Sequence, residues 1–258
     1  MIDFITQLFD LTGKTALIAG GTKGLGKNIA QCLCKAGAKV AICSRNEEEA
    51  QAIANSLTSK GKSSTMGVKA DISYSDDVKI MVKKVEKELG SIDILVNCAG
   101  INIRRNAIAL KEEEWDEVLN TNLKGAFLLA KEVLPSMYKN KWGRIVFLGS
   151  VQSFVSIPGR VAYASSKAGL LGLTRTLALE SAPYQVCVNT VCPGPFRTPM
   201  NEIIAADPEK YQKFVSRVPM KRWGEPQELE GLILYLCSPS SSFMTGSALT
   251  IDGGWTAQ

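Results

Sequence analysis

The sequence predicts a single α/β domain in which a doubly wound parallel sheet carries helices on both faces. Two observations support this prediction. Short apolar segments alternate with amphipathic segments along all 258 residues, and a glycine-rich turn follows the first apolar segment. Such alternation requires crossover connections, which produce parallel strands. Hydrophobic residues make up 45% of the chain, enough for a core between sheet and helices, and no linker or repeat divides it.

Each element follows from its local pattern. Buried parallel strands are continuous apolar runs, because both faces of the sheet are covered. The predicted strands are Thr15–Ala19, 39–43, 64–69, 92–97, Gly143–Leu148, 185–191 and Ala248–Ile251. The predicted helices are 24–36, 47–59, Ser75–Leu89, 112–139, 160–181, 199–218 and 226–237. Ligands bind at the carboxyl ends of such strands, so the residues directly after strands are the functional candidates.

The turn after the first predicted strand contains Gly20, Gly24 and Gly26. Glycines remove side chains where the backbone must turn tightly and approach a diphosphate, and the positive end of the next helix then faces that anion. A glycine-rich loop without a ligand has the same composition. The strand before the turn and the helix after it favour a dinucleotide site, to which Lys23 and Leu25 would also belong.

A second motif places Tyr163 and Lys167 four residues apart on a predicted helix, downstream of Ser150 at the end of a predicted strand. Residues four apart share a helix face, so an ammonium can lie beside the phenol. Free tyrosine has a pKa of about 10, and a neighbouring cation favours the phenolate. Tyr163 is therefore a candidate general acid/base, although this spacing alone also arises by chance on helix surfaces.

The composition narrows the classes of function. The chain has no histidine, and its seven cysteines lack Cys-x-x-Cys spacing, which argues against a zinc site or any metal site and against a histidine base. The charge of +5 is spread over scattered lysines, which argues against nucleic-acid binding. No apolar run has membrane-spanning length, and the N-terminus does not resemble a signal peptide, so we expect a soluble, cytoplasmic protein without a membrane partner.

Taken in order, these motifs resemble those of the short-chain dehydrogenase/reductase family over essentially the whole chain. The matching residues are Gly20, Gly24 and Gly26, then Asn97-Cys98-Ala99-Gly100, Asn122, Ser150, Tyr163, Lys167, Pro193-Gly194 and Thr198. Two positions depart from the family pattern: Ala19 stands where a threonine is usual, and Cys98 where a second asparagine is usual. The resemblance implies a seven-stranded Rossmann fold of strand order 3-2-1-4-5-6-7 and assembly as a homotetramer.

The resemblance also implies an oxidoreductase that moves a hydride to or from a nicotinamide. Tyr163 would transfer the proton, Ser150 would bond the substrate oxygen, and Lys167 would depress the pKa of Tyr163 and bond the nicotinamide ribose. Asn122 would hold a water that links Lys167 to bulk solvent. In such enzymes the protein contributes mainly orientation and electrostatics, because the cofactor carries the redox chemistry.

The residues after the second predicted strand favour NADP(H) over NAD(H). An NAD site usually has an acid there for the ribose 2′-hydroxyl, but this chain has Ser44 and Arg45, with Lys23 as a second cation suited to a phosphate. Simple surface exposure of both cations is the alternative. By the resemblance Asp71 bonds the adenine, although a helix cap also explains it. The remaining cofactor candidates are Ile72, Asn97, Ala99, Gly100, Pro193, Gly194 and Thr198, of which the last three would anchor the carboxamide.

The substrate is less well determined by the sequence. Arg104 and Arg105 follow the fourth predicted strand, where one of them could clamp a carboxylate bidentately. A solvated surface pair is the alternative. Together with 222–224 and 252–256, these arginines resemble gluconate 5-dehydrogenases, which implies interconversion of D-gluconate and 5-keto-D-gluconate. The other candidate pocket residues are Gln152, Arg160 and Met200, and the charged segment around 195–222 is a candidate substrate lid.

Two alternatives stay open. A 3-oxoacyl-[acyl-carrier-protein] reductase shares all the cofactor motifs and needs a basic surface near the site, which Arg104, Arg105 and Arg160 could also provide. A catalytically inactive NADP(H)-sensing protein of the same fold is disfavoured because Tyr163 and Lys167 are both present. Whether Arg104 points into the pocket or outward discriminates between the two enzymes.

Overall fold

The computed structural model describes residues 4–58 and 63–257. Its strands are β1 Thr15–Ala19, β2 Lys39–Ser44, β3 Thr65–Lys69, β4 Ile94–Asn97, β5 Gly143–Leu148, β6 Val186–Pro193 and β7 Ala248–Ile251. All six neighbouring pairs are parallel, in the order β3-β2-β1-β4-β5-β6-β7. The predicted seven-stranded, doubly wound sheet in a single Rossmann-like domain is therefore confirmed.

The helices flank this sheet. They are α1 Phe4–Phe9, α2 Gly24–Lys35, α3 Glu47–Thr58, α4 Ser75–Leu89, α5 Glu112–Leu119, α6 Gly125–Asn140, α7 Val161–Ser181, α8 Glu202–Ala205, α9 Pro208–Val215 and α10 Glu230–Cys237. The short helix α1 was not predicted, and the predicted end of α3 at Ser59 lies outside the described residues. Within the described ranges, no helix combines the length and apolar character needed to cross a membrane.

Two predicted helices are interrupted for identifiable reasons. The segment 112–139 contains a π-helical turn, Asn120–Lys124, between α5 and α6. This turn carries the buried Asn122, and such turns are often found at functional sites. The segment 199–218 is broken at Asp207, whose carboxylate accepts a hydrogen bond from the Lys210 N–H and so caps a new helix that begins with a proline.

The core consists of two apolar clusters, one on each face of the sheet. Successive residues of β1 point to opposite faces, so Leu17 packs with the cluster under α4 and α6, whereas Ile18 packs with Ile29 and Leu33 of α2. All four side chains are fully buried. With both faces covered, the edge formed by the carboxyl ends of the strands is the part of the sheet left for ligands.

Candidate functional site

A cavity of about 680 Å³ opens at the carboxyl ends of the strands. It lies where β1 sits between β2 and β4, the point at which the chain reverses its winding direction. Its walls come from the loops after all of the first six strands. Both the position and the volume are typical of a dinucleotide site in this fold class.

The glycine-rich turn forms one wall because its glycines allow close backbone contacts. Gly20 has a φ of +75°, and a Cβ there would lie 2.7 Å from the backbone N of Ala99. A Cβ on Gly26 would lie 2.1 Å from the Gly20 carbonyl oxygen. Helix α2 begins at Gly24, so its first N–H groups, which have no partner inside the helix, face the cavity. These residues fit a diphosphate.

The loop after β2 holds the groups predicted to meet the 2′ position of a ribose. Ser44 and Arg45 line the cavity, and Arg45 is exposed. Lys23 reaches the same wall, but its Nζ lies 3.1 Å from Oε1 of Glu49 in the first turn of α3. Glu49 was missed by the sequence analysis. Its position one helical turn after Arg45 is the signal that could have found it.

Asp71 occupies the wall after β3 and does not cap the following helix, whose N-cap is Tyr74. Its Oδ1 accepts hydrogen bonds from the N–H and the hydroxyl of Ser73, at 3.0 and 2.7 Å, so it organises the loop. It also lines the cavity, next to the buried Ile72. The second carboxylate oxygen of Asp71 is therefore the one suited to an adenine.

The loop after β4 has an internal and a cavity-facing part. Asn97 is buried and does not line the cavity; its Oδ1 accepts the Ala99 N–H at 3.1 Å and so shapes the loop from behind. Ala99 and Gly100 do line it. Cys98 lines it as well, and burial raises the pKa of its thiol to about 12, so this sulfur is a neutral wall rather than a nucleophile.

The end of β6 closes the cavity opposite the glycine-rich turn. The N–H of Gly194 donates to the Ile251 carbonyl at 3.0 Å, and a Cβ on Gly194 would lie 2.7 Å from the Cα of Asp252. Pro193 and Thr198 line the same wall, and Thr198 lies within van der Waals reach of Gly24. This wall is where the resemblance places the carboxamide anchor.

Ser150, Tyr163 and Lys167 meet at one end of the cavity. Tyr163 and Lys167 lie on the same face of α7, with the Lys167 ammonium 5.7 Å from the centre of the Tyr163 ring. Ser150 follows β5 directly and begins a short turn in which its hydroxyl accepts the Gln152 N–H at 3.1 Å. Ser150 therefore stands just beyond a strand end, and Tyr163 and Lys167 stand in the first two turns of a helix, which fixes their relative positions.

The electrostatics of this triad differ from the expectation. Burial raises the pKa of the Tyr163 phenol, and the groups that oppose this are the Ser150 hydroxyl and the charges of Arg160 and Arg104, not Lys167. The Lys167 ammonium instead donates a 2.5 Å hydrogen bond to the Leu148 carbonyl. Burial lowers the pKa of Lys167 to about 8, because the charged form loses solvation.

Asn122 holds the triad from behind. Its Nδ2 donates to the Ile101 carbonyl at 3.0 Å and to the Ser166 hydroxyl at 2.9 Å, while its Oδ1 accepts the Ile101 N–H at 2.8 Å. The side chain thus joins the loop after β4 to helix α7. Because both of its amide N–H groups are used in this way, the side chain positions the loop after β4 against helix α7. That Asn122 holds a water stays a prediction.

A second cavity, of about 90 Å³, adjoins the first at Ser150 and Tyr163. Apolar and polar side chains both line it, and four buried polar atoms of the lining residues have no hydrogen-bond partner within residues 4–58 and 63–257. These atoms are Asn102 Oδ1, Gln152 Oε1, Arg160 Nε and Trp223 Nε1. An unpaired buried polar atom costs roughly 1–3 kcal/mol. Four such atoms around one cavity require polar partners, which ordered water or a polar ligand can supply.

The two arginines after β4 have different partners. Arg104 lines the small cavity, and its guanidinium donates to the Met200 carbonyl at 3.3 Å. Arg105 turns away and pairs with Glu114 at 2.7 Å. Arg160 lines the cavity and is only 8% exposed, and burial together with the charge of Arg104 lowers its pKa. The cavity beside Tyr163 is therefore flanked by two guanidinium groups.

The segment 195–222 forms a cover over both cavities. Met200 lines the two cavities, and Ile204 and Phe214 line the smaller one. Beneath them Trp223 is 2% exposed, and its ring packs at a tilt against Tyr211 and edge-on against Phe214. The small-cavity residues that were not individually predicted are Asn102, Val151, Pro195, Asn201, Ile204, Phe214, Trp223 and Trp255. No local motif marks them, because the cavity forms only where separate loops meet.

Comparison with known proteins gives matches along nearly the whole chain. The family model described as Enoyl-(Acyl carrier protein) reductase, one of the short-chain dehydrogenase/reductase models, matches residues 19–256. A 3-oxoacyl-[acyl-carrier-protein] reductase, FabG, of Aquifex aeolicus is 37% identical over 95% of this chain and 98% of its own.

Two solved structures are similar throughout. A gluconate 5-dehydrogenase from Burkholderia cenocepacia, in complex with NADP and tartrate, has a TM-score of 0.95 at 33% identity, covering 98% of this chain and 99% of that one. A putative NAD(P) dependent gluconate 5-dehydrogenase from Beutenbergia cavernae, with bound NADP at low occupancy, has a TM-score of 0.92 at 34% identity, covering 97% and 99%.

Proposed function

Because the chain belongs to the short-chain dehydrogenase/reductase family, we propose that it is an NADP(H)-preferring oxidoreductase that interconverts D-gluconate and 5-keto-D-gluconate. The observation that carries this proposal is the pair of guanidinium groups, Arg104 and Arg160, on the walls of the small cavity beside Tyr163. The likeness to two gluconate 5-dehydrogenase structures supports it. The use of a nicotinamide cofactor follows from the family itself.

The chemistry of the small cavity matches a polyhydroxylated acid. Guanidinium groups bind carboxylates with short, charge-assisted hydrogen bonds, so Arg104 and Arg160 suit the carboxylate of gluconate. The unpaired Asn102 and Gln152 oxygens and the Trp223 N–H suit its hydroxyl groups. A simple acyl chain would leave these buried polar atoms without partners, at a cost of roughly 1–3 kcal/mol each.

In the proposed reaction the nicotinamide accepts or returns the hydride. Tyr163 takes the proton from the substrate hydroxyl during oxidation and returns it to the carbonyl oxygen during reduction. Ser150 donates a hydrogen bond to that same oxygen, which fixes its distance from Tyr163. The nearby positive charges of Arg160 and Arg104 favour the phenolate and so oppose the effect of burial on the Tyr163 pKa.

Lys167 has two parts in this proposal. Its pKa of about 8 keeps it mostly cationic at neutral pH, so it can bond a ribose hydroxyl and release a proton within the working range. Asn122 supports it indirectly by tying the loop after β4 to α7. The segment 195–222, which covers both cavities, would act as the substrate lid, since its Met200 and Ile204 line the small cavity.

The proposal includes assembly as a homotetramer. Several apolar side chains near the last strand are exposed, including Phe243 and Met220, and the edge strand β7 has no neighbour on its outer side within the described residues. Unprotected edges and apolar patches favour association. Multi-angle light scattering should give about four times the 27.9 kDa chain mass, and a monomer would contradict this part.

The second candidate is a 3-oxoacyl-[acyl-carrier-protein] reductase. The observation in its favour is the 37% identity to FabG over nearly all of both chains. The exposed faces of Arg104 and Arg105 would then serve as part of a basic landing surface for an acidic carrier protein. An acyl group, however, would offer no partner to the four unpaired polar atoms of the small-cavity residues.

One set of assays separates the two candidates. Initial rates are measured with gluconate and NADP⁺ or NAD⁺, and with acetoacetyl thioester and NADPH. We expect gluconate turnover with lower KM for NADP⁺. Arg104→Met should raise the gluconate KM by about ten-fold, roughly the loss of one charge-assisted bond. Arg105→Met, which removes the same charge from a residue outside the cavity, should change it less than two-fold. Thioester reduction without gluconate oxidation would refute the gluconate assignment and support the second candidate, the 3-oxoacyl-[acyl-carrier-protein] reductase.

A further inference from the structure

We propose that Glu49 sets how strongly the cofactor site favours NADP(H) over NAD(H), through its ion pair with Lys23. The inference rests on the proposed NADP(H) preference and adds a residue that works against it. Sequence reasoning found two cations and no acid after β2. The structure brings an acid to the same place from the first turn of α3.

The geometry puts the pair on the cavity wall. Lys23 is the residue before α2, and Glu49 lies in the first turn of α3, so the two side chains meet across the mouth between these helices. The Lys23 Nζ and the Glu49 Oε1 are 3.1 Å apart, and the two side chains are 66% and 40% exposed. Both residues line the cavity together with Ser44 and Arg45.

Glu49 is distinguished from the other acids of its helix turn. Glu47 pairs with Lys84 at 3.6 Å, outside the cavity. Glu48 is exposed and does not line the cavity. Of the two cations on this wall, Arg45 has no ion-pair partner in the described part of the chain, whereas Lys23 is already held by a carboxylate.

The charge of Glu49 acts differently on the two cofactors. A phosphate monoester carries a charge of about −1.5 to −2 near neutral pH, so a 2′-phosphate is repelled by Glu49 and must compete with it for Lys23. A ribose 2′-hydroxyl can instead donate a hydrogen bond to a carboxylate. Glu49 therefore weakens NADP(H) binding and supports NAD(H) binding, which narrows the difference between them.

The test is a binding titration without substrate. The nicotinamide fluorescence of NADPH or NADH is followed as each is added to the wild type and to Glu49→Gln. We expect the NADPH Kd of Glu49→Gln to fall about five-fold, as suits a partly exposed charge, and the NADH Kd to stay equal or rise. Raising the salt concentration should shrink the NADPH effect.

Glu48→Gln is the matched control, because it removes the same charge from the same helix turn without touching Lys23. The NADPH Kd of Glu48→Gln should change by less than 1.5-fold, because salt screens most of the long-range effect of removing one charge. Equal shifts in the two variants, or no shift in Glu49→Gln, would overturn the proposal. In a Lys23→Met background, Glu49→Gln should improve NADPH affinity two-fold or less, since only the repulsion between Glu49 and the 2′-phosphate remains to be relieved. An improvement as large as in the wild-type background would also overturn the role of the ion pair.

The titration separates this inference from the proposed function. No sugar acid is present, so an incorrect substrate assignment has no influence on the Kd values. A wild type that binds NADH more tightly than NADPH would refute the proposed cofactor preference, while the shift between wild type and Glu49→Gln would still decide the role of Glu49.

Discussion

The two cavities that meet at Tyr163 are built in opposite ways. The larger one takes its shape from the backbone: glycines at close contacts, helix N–H groups and strand ends that the sheet holds in place. The smaller one is formed by side chains from distant loops, several with unpaired polar atoms, under a cover of short helices. The first is preorganised and common to a fold, whereas the second is adaptable and specifies one ligand chemistry.

The largest expected effect is on kcat and comes from a substitution of Tyr163, where the two cavities join. Tyr163→Phe removes the hydroxyl that transfers the proton and keeps the ring, so kcat should fall about 10³-fold, within the usual range for acid–base catalysis. The NADPH Kd should change less than three-fold, because the phosphate and adenine contacts remain. Steady-state rates and fluorescence titrations measure the two quantities. Tyr74→Phe, at an exposed site, is the control, and a retained kcat in Tyr163→Phe would refute the assignment.

The backbone-built cavity should tolerate no side chain at its turn. Gly20→Ala places a Cβ 2.7 Å from the Ala99 nitrogen at a φ of +75°, so the free energy of unfolding should fall by about 2–4 kcal/mol. Urea denaturation measures this change. Gly231→Ala, at an exposed position of α10 with open space around it, should be neutral or stabilising. Equal stability of the two variants would contradict the close contact.

The side-chain-built cavity should show a trade between stability and function. Arg160→Met keeps the aliphatic stem and removes a buried guanidinium whose Nε is unpaired. We expect the unfolding free energy to rise by about 1 kcal/mol and the gluconate kcat/KM to fall about 30-fold. Denaturation measures the change in unfolding free energy, and initial rates measure the change in gluconate kcat/KM. A destabilised variant with normal gluconate kinetics would mean that Arg160 is a structural residue.

The smallest expected effect is a pH dependence of the unfolding free energy that comes from Lys167, near the junction of the two cavities. The pKa of Lys167 is about 8 in the folded chain and near 10.5 when unfolded, so between these values the unfolded chain binds more protons and stability rises with pH. Relative to Lys167→Met, the wild type should gain about 1 kcal/mol between pH 7.5 and 9. Urea midpoints at several pH values measure the difference. A constant difference would show that burial does not perturb Lys167.

The sequence predicted the backbone-built region well and the other poorly. Of the predicted cofactor residues, all except Asn97 line the large cavity, and Asn97 acts through the Ala99 N–H. In the small cavity, Arg104, Gln152, Arg160 and Met200 were predicted, while the tryptophans of its floor and cover were not assigned to the site. The expectation that Lys167 would depress the pKa of Tyr163 differs from the structure, where burial dominates and Lys167 bonds a carbonyl.

The sequence by itself determined the alternation of strands and helices, the glycine-rich turn and the shared helix face of Tyr163 and Lys167, because each follows from local periodicity and backbone freedom. The strand order was implied by the family resemblance. Only the tertiary structure decided that the exposed Arg104 lines the small cavity while Arg105 pairs with Glu114, and that Glu49 meets Lys23. These outcomes depend on how separate elements approach one another. A side chain several bonds long finds its partner only after the backbone around it is in place.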